Sequence, residues 1–328
     1  MKTPIQPLTK ILCLIVLLLQ SGNSFAQWID HSFPVMGTEV TLRFFLADDE
    51  KALAARDAVV AEMHRIDSTM SPFKESSLIS KINREAAEHP VVISKEFYAL
   101  VLQSLMISKM TEGSFDITLS SVGYLYDYRL KKKPSAAQLK EKLPLINYQS
   151  IVLDADKNTI AFKQKGVKID FGGIAKGLAV DNSINILKSF GVKQASVTAG
   201  GDTYVLGDND GKMWRVGIKH PRAESKLVSI LPLADTAIST SGDYERFFIE
   251  DGERYHHIIN PSTGKSITGI QSVTVLTSNS TFADALSTSV FVLGLEKGMA
   301  LVDKLDNVSA IIVDAKGKMF YSRDLTEQ

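Results

Sequence analysis

From residue 195 to residue 277 the chain passes through one strand-forming segment after another, with no helical pattern between them. The segments 195–206, 214–219, 228–232, 246–249, 254–259 and 272–277 are rich in β-branched and aromatic residues, and short polar turns separate several of them. A parallel pair needs a crossover of about a dozen residues or more, so strands that follow one another this closely pair antiparallel. Helical patterns lie on either side of the meander. Residues 51–70 carry Leu53, Val60, Met63, Ile66 and Met70 at near-helical spacing, and 95–110 run until Gly113. Residues 175–190 close at Gly191, and 282–293 and 296–305 precede a last strand at 309–313. With one more strand at 39–45, this order predicts an α+β fold, a largely antiparallel sheet packed by helices, and excludes a doubly wound parallel sheet. No linker or repeat interrupts it, so residues 27–328 are expected to form one compact unit.

The N-terminus points to export. Lys2 and Lys10 precede the uncharged run 11–19, and Ser24-Phe25-Ala26 puts small residues where a signal peptidase needs them. A cleaved signal over 1–26 is expected, with an uncleaved anchor as the alternative; the run is short for a bilayer. Cys13, the only cysteine, lies inside the run, which argues against a lipid-anchored cysteine. The rest of the chain therefore has neither disulfides nor a thiol nucleophile. Lys plus Arg equals Asp plus Glu at 37 each, so no strong field draws in nucleic acid or an anionic membrane. A small molecule or another protein is the expected partner.

Two segments carry chemistry. In TFADALSTSVFVLG, residues 281–294, Asp284, Ser287 and Thr288 stand at i, i+3 and i+4, so a carboxylate and two hydroxyls share one helix face. That is a corner for a hard cation; the alternative is a first-turn acid with no metal. In IDFGGIAKGLAVD, residues 169–181, Asp170 lies near a strand end and Gly172-Gly173 let backbone approach a ligand. The helix that follows directs its first amides outward, which suits a phosphate, and Lys176 adds a point charge. The alternative is a turn that needs glycine for its dihedral angles alone. Other readings fail on spacing: no G-x-G-x-x-G, no P-loop and no H-E-x-x-H is present. Asp208-Asn209-Asp210-Gly211 lacks the later glutamate of a calcium loop and reads as a hairpin turn. The basic run 131–133 reads as a solvated loop.

These segments belong to an ordered set. Met36-Gly37-Thr38 and Met70-Ser71-Pro72-Phe73 come first, then SLISKIN at 77–83 and Gly113-Ser114-Phe115-Asp116-Ile117-Thr118. After IDFGGIAKGLAVD come Ala199-Gly200-Gly201-Asp202, Ser239-Thr240-Ser241-Gly242-Asp243-Tyr244, HIINPSTG at 257–264, and the helix of Asp284. Across nearly all of residues 27–328 this set resembles the ApbE family of FAD:protein FMN transferases.

The resemblance implies a T-fold-like α+β unit and an envelope enzyme that binds FAD and magnesium. Such an enzyme joins FMN through its phosphate to a threonine of a target protein and releases AMP. The implied acceptors are flavoprotein subunits of membrane redox complexes and related envelope flavin carriers. It also implies a magnesium site at the Gly173 carbonyl, Asp284 and Thr288, with Ser287 as a fourth member. Met36, Phe73, Ser114, Phe115, Asp116, Asp170 and Lys176 are the implied nucleotide contacts, although Phe73 and Phe115 would serve a core equally well. His256 and His257 point to opposite faces of a strand, and the family pattern selects His257 for the site. His257 and Asp284 are the candidate catalytic residues; the general base stays open between His257 and a carboxylate such as Asp284 or Asp243. Residues 240–242 bind substrate or form a tight turn. The chain departs from the pattern at Asn260, Ser121 and Lys176, none of which is an implied metal ligand. Two other readings remain: a magnesium-dependent FAD pyrophosphatase giving FMN and AMP, and a non-catalytic FAD-binding envelope protein.

Overall fold

The computed structural model describes residues 27–326, so the expected signal over 1–26, Cys13 included, lies outside the described residues. In chain order the elements are β1 (Gln27–Val35), β2 (Thr38–Leu46), α1 (Asp49–Met70), α2 (Leu78–Glu85), β3 (Val91–Val92), α3 (Lys95–Met110), α4 (Ser120–Gly123), α5 (Ala136–Lys142), β4 (Ile151–Asp154) and β5 (Thr159–Phe162). There follow α6 (Ala175–Ser189), β6 (Gln194–Ala199), β7 (Asp202–Leu206), β8 (Trp214–His220), β9 (Ala223–Leu233), β10 (Thr236–Gly242), β11 (Phe247–Glu250), β12 (Glu253–His256), β13 (Ile270–Thr277), α7 (Ser280–Val302), β14 (Ser309–Asp314) and β15 (Met319–Tyr321).

The meander closes into an eight-stranded sheet of order β1-β2-β6-β7-β10-β13-β14-β15, antiparallel at every neighbouring pair. The α+β expectation is met. Several details differ from it, among them β10, which falls between two of the expected strands, and the separate short sheet β3-β5-β4. The segment 195–206 is two strands, because Gly200 takes φ +62 and turns the chain back on itself. β1 was not foreseen; Pro34 weakens its strand signal, and proline is tolerated here because β1 is an edge strand. The two helices expected over 282–305 are present, parted at Gly294 (φ 79, ψ −179) beside the expected boundary; they share the label α7, and the second ends at Val302.

The strand alternation sorts the core. Val197, Ala199, Ala237, Val273, Val275, Ala310 and Ile312 face the main cluster beneath α6 and α7. The intervening Ile238, Leu276 and Ile311 form a second cluster with Ile218, under the β8–β9 ribbon that covers the opposite face. Helix α7 packs on β10 and β13, α6 on β6 and β7, and α1 lies outside α6. With a mean hydropathy of 1.4 over its most apolar window, α7 is long and apolar enough to cross a membrane, yet much of it is core.

The two central helices meet with almost no separation. A Cβ on Gly177 would lie 2.2 Å from the Ser280 carbonyl oxygen, so no larger residue fits there without displacing backbone. Asp181 completes the joint: its carboxylate accepts from Ser280 N (2.9 Å), Thr281 N (2.8 Å) and Thr281 Oγ1 (2.6 Å) at the start of α7. The second half of the IDFGGIAKGLAVD segment is thus fixed against the helix that carries Asp284.

Candidate active site

Asn83 on α2 sets the approach to the glycine turn. Its side-chain amide donates to Ile169 O (2.9 Å) and accepts from Ile169 N (2.8 Å), standing in for a missing strand neighbour. Asp170 then accepts from Gly172 N at 2.9 Å, and α6 begins without a side-chain cap of its own. Asp284 supplies one from the neighbouring helix, accepting from Gly177 N at 3.1 Å. Its carboxylate also faces Lys176 Nζ at 3.3 Å. The same ammonium is hydrogen-bonded to Asp202, which is 1% exposed. Burial, reinforced by the charge of Asp202, raises the Asp284 pKa well above the ordinary carboxylate range, against the pull of Lys176. Burial disfavours the charge on Lys176, but Asp202 and Asp284 outweigh it and hold the group protonated.

A string of hydroxyls joins the two acids. Ser239 Oγ donates to Asp202 Oδ1 (2.5 Å) and lies 3.1 Å from Ser287 Oγ. Ser241 Oγ lies 2.8 Å from Ser287 Oγ and 3.2 Å from Thr288 Oγ1. Thr288 in turn meets the glycine turn: a Cβ on Gly173 would sit 3.3 Å from its Oγ1. Gly173, Asp284 and Thr288 therefore converge from two elements, as the resemblance implied. The donors are all hard oxygens, and the described residues hold no cluster of three His, Cys, Asp or Glu side chains. That donor set fits magnesium and not zinc. Ser287 fits less well. It donates to Asp284 O (3.0 Å) and lies beside the Ser241 hydroxyl, so part of its hydrogen-bonding capacity is already used within the protein.

His257 closes another side. Its Nδ1 is buried with no hydrogen-bond partner among the described residues. Burial pushes its pKa down to about 3, helped by the positive fields of Arg246, His256 and Lys176. His256 points away from this side, its Nε2 bonded to Ile267 O (2.7 Å) and its ring edge-on to Phe291. The alternation argument thus holds. Burial raises the Asp170 pKa, with Gly172 N–H and Arg246 working against it.

The remaining expected residues divide into two kinds. Phe73 is 86% exposed, so the core reading of it fails and its ring is free to stack on a ligand. Met36 (φ 55) and Gly37 (φ 72) form the tight β1–β2 turn beside an open groove of about 680 Å³ that Asp67 also lines. Lys74 pairs with Asp67, which brings the Phe73 loop to the same end. Ser114 is half-buried at the end of α3. Phe115 belongs to the core, its ring edge 3.4 Å from a Cβ placed on Gly173. Asp116 turns inward, accepting from Thr118 N (2.8 Å), Thr118 Oγ1 (2.6 Å) and Tyr148 N (2.9 Å), and braces this loop. Asp243 is clamped bidentate by Arg222 at 2.7 and 2.6 Å, so it is not free to act as a base. Residues 240–242 form the end of β10 and no tight turn. Asp202, Ser239 and Asp181 are site and framework residues whose roles sequence reasoning missed; Asp202 had been visible only as the end of the Ala-Gly-Gly-Asp motif.

An antiparallel sheet with two helices on one face, bearing an oxygen-lined corner at a glycine turn, defines the class of nucleotide-handling α+β proteins. The ApbE family model matches residues 36–312, and the chain belongs to the ApbE family. An FAD:protein FMN transferase of Klebsiella pneumoniae is 30% identical over 86% of this chain and 88% of its own length. Another, of Treponema pallidum, is 32% identical over 79% of this chain and 77% of its own. Among solved structures, the ApbE protein of Thermotoga maritima superposes with a TM-score of 0.84 at 32% identity, covering 92% of this chain and 98% of that one. The flavin transferase ApbE of Vibrio cholerae gives 0.81 at 27% identity, covering 92% and 99%.

Proposed function

We propose that this flavin transferase moves FMN from FAD to a threonine hydroxyl of a target protein, with magnesium, and releases AMP. The observation that carries the reading is the convergence of Asp284 and Thr288 on the Gly173 turn, an oxygen corner beside an unpartnered imidazole. The Gly173 carbonyl, the Asp284 carboxylate and the Thr288 hydroxyl would hold the ion, with Ser241 close behind. Bound there, magnesium would neutralise charge on the pyrophosphate and on the leaving phosphate, worth several kcal/mol.

The threonine oxygen forms the new bond to the FMN-side phosphorus, the bridging P–O bond breaks, and AMP leaves with its electron pair. No enzyme nucleophile is needed. His257 accepts the threonine proton. It is neutral in the free protein, and the negative charge of a pyrophosphate arriving beside it raises its basicity from the low resting value. Asp284 cannot serve while it ligates the ion, and Asp243 is held by Arg222. The joined helices α6 and α7 keep the corner fixed, so positioning and electrostatics supply most of the rate.

Residues 1–26 act as a cleaved export signal in this reading, which puts the acceptors among envelope flavoproteins such as subunits of membrane redox complexes. Incubation of the protein with FAD, magnesium and a threonine-containing acceptor domain tests the reaction. A fluorescent acceptor band with AMP release is expected. AMP without a fluorescent acceptor would make the protein a pyrophosphatase, and bound, intact FAD would overturn both enzymatic readings. Unprocessed N-termini on the exported protein would overturn the signal assignment.

A further inference from the structure

The corner that handles a pyrophosphate is itself acidic. Asp202 and Asp284 both face Lys176, so this half-buried ammonium is neutralised by its own neighbours, and Asp170 adds a carboxyl at the glycine turn. Lys176 therefore has little charge left to offer a dianionic ligand. A divalent ion offsets part of the ligand's charge, and a second cation on the open side is required for balance.

One residue has the position for it. The β11–β12 register pairs Phe247 with His256, which makes Arg246 and His257 the next cross-strand pair, and His257 N donates to Arg246 O at 3.1 Å. Directly opposed residues project to the same face of an antiparallel pair, so the guanidinium stands over the same side as the imidazole. Arg246 is exposed and makes no side-chain hydrogen bond or ion pair among the described residues. The other arginines of this region are committed: Arg222 to Asp243, and Arg254 to the Phe247 ring (3.8 Å to the centroid) and Asp243 O. The field of Arg246 reaches both His257 and Asp170, which puts it within range of the corner from the solvent side.

We infer that Arg246 is the phosphate-gripping residue of the nucleotide site, its guanidinium holding the pyrophosphate of FAD while Lys176 remains bound to Asp202 and Asp284. This rests on the flavin-transfer reading above. A planar guanidinium can take two phosphate oxygens at once, which a half-buried lysine between two carboxylates cannot.

The test compares ligands with and without phosphate. FAD and riboflavin binding are measured by flavin fluorescence on the full-length protein without its signal, for the wild type, Arg246→Gln and Arg246→Lys, at low and high salt. Loss of a charge-assisted phosphate contact should weaken FAD binding about tenfold or more in Arg246→Gln, with riboflavin unchanged and the Lys variant intermediate. Wild-type affinity for FAD should also fall more steeply with salt than that of Arg246→Gln. Equal FAD affinity in the wild type and Arg246→Gln would overturn the inference, as would parallel loss of FAD and riboflavin. If the wild type binds and transfers flavin normally while Arg246→Gln matches it, only the Arg246 assignment falls. If the wild type binds no FAD at all, the flavin-transfer reading falls and takes this inference with it.

Discussion

The helix-borne corner and the ribbon that faces it are built on opposite principles. Around Asp284 every group is spoken for: the carboxylate by Lys176 and Gly177 N, Lys176 by two acids, Ser287 by three oxygens. Around His257 the groups are unspent, with a partnerless Nδ1, a guanidinium without an ion pair, and, at the Met36 end, the exposed Phe73 ring. The first region is preorganised, so no reorganisation is needed when the reaction's charge develops there. The second is left unsatisfied by the protein and is completed by a ligand. In the proposed reaction the metal corner is thus the rigid part, while the side that holds His257 is left open for the ligand.

The largest effect should come from breaking the rigid half chemically. Asp284→Ala is expected to lower the rate of flavin transfer about a thousandfold or more, since it removes the one carboxylate among the proposed metal ligands. Unchanged turnover in the fluorescent acceptor assay would remove Asp284 from that role. Breaking the same half sterically comes next. Gly177→Ala sets a methyl 2.2 Å from the Ser280 carbonyl and should cost about 3 kcal/mol in urea unfolding. A loss below about 1 kcal/mol would mean that α6 and α7 can part easily.

Protonation separates the halves by sign. His257 stays neutral in the folded protein down to about 3 but gains a proton near 6.5 when unfolded, so its contribution to stability falls as pH drops through that window. The wild type should lose stability relative to His257→Asn by up to about 1.4 kcal/mol per pH unit below 6.5. Parallel unfolding curves from pH 7 to pH 4 would contradict the buried, neutral imidazole. Asp181→Ala should be milder. It strips the start of α7 of four hydrogen bonds, and a loss of about 1 to 2 kcal/mol in denaturant unfolding is expected. The smallest stability change belongs to the open half. Phe73→Ala should shift unfolding by less than about 0.5 kcal/mol, because the ring is 86% exposed. Its FAD affinity should still fall about threefold or more if the ring stacks on the ligand.

Much of this was legible in the chain. The apolar spacing of 51–70 marks α1 to within two residues of its start, and the polar face of 281–294 names Asp284 and Thr288 before any fold is known. What stayed hidden depends on pairing between distant strands. Asp202 and Ser239 meet because β7 and β10 are neighbours in register, a fact that no local pattern carries. Asp243 shows the related point that sequence gives a side chain's chemistry and not whether a partner, here Arg222, already holds it. Gly200-Gly201 sat inside an apolar run and was read through, although its left-handed residue is what separates β6 from β7.

The β8–β9 ribbon behind the sheet has a mechanical consequence. Its tip carries Arg222, which grips Asp243 just three positions before Arg246, while Ile218, a few residues back along β8, packs into the rear cluster. The ribbon is thus tied at two places, to the sheet beneath it and, through its tip, to the chain that leads into Arg246.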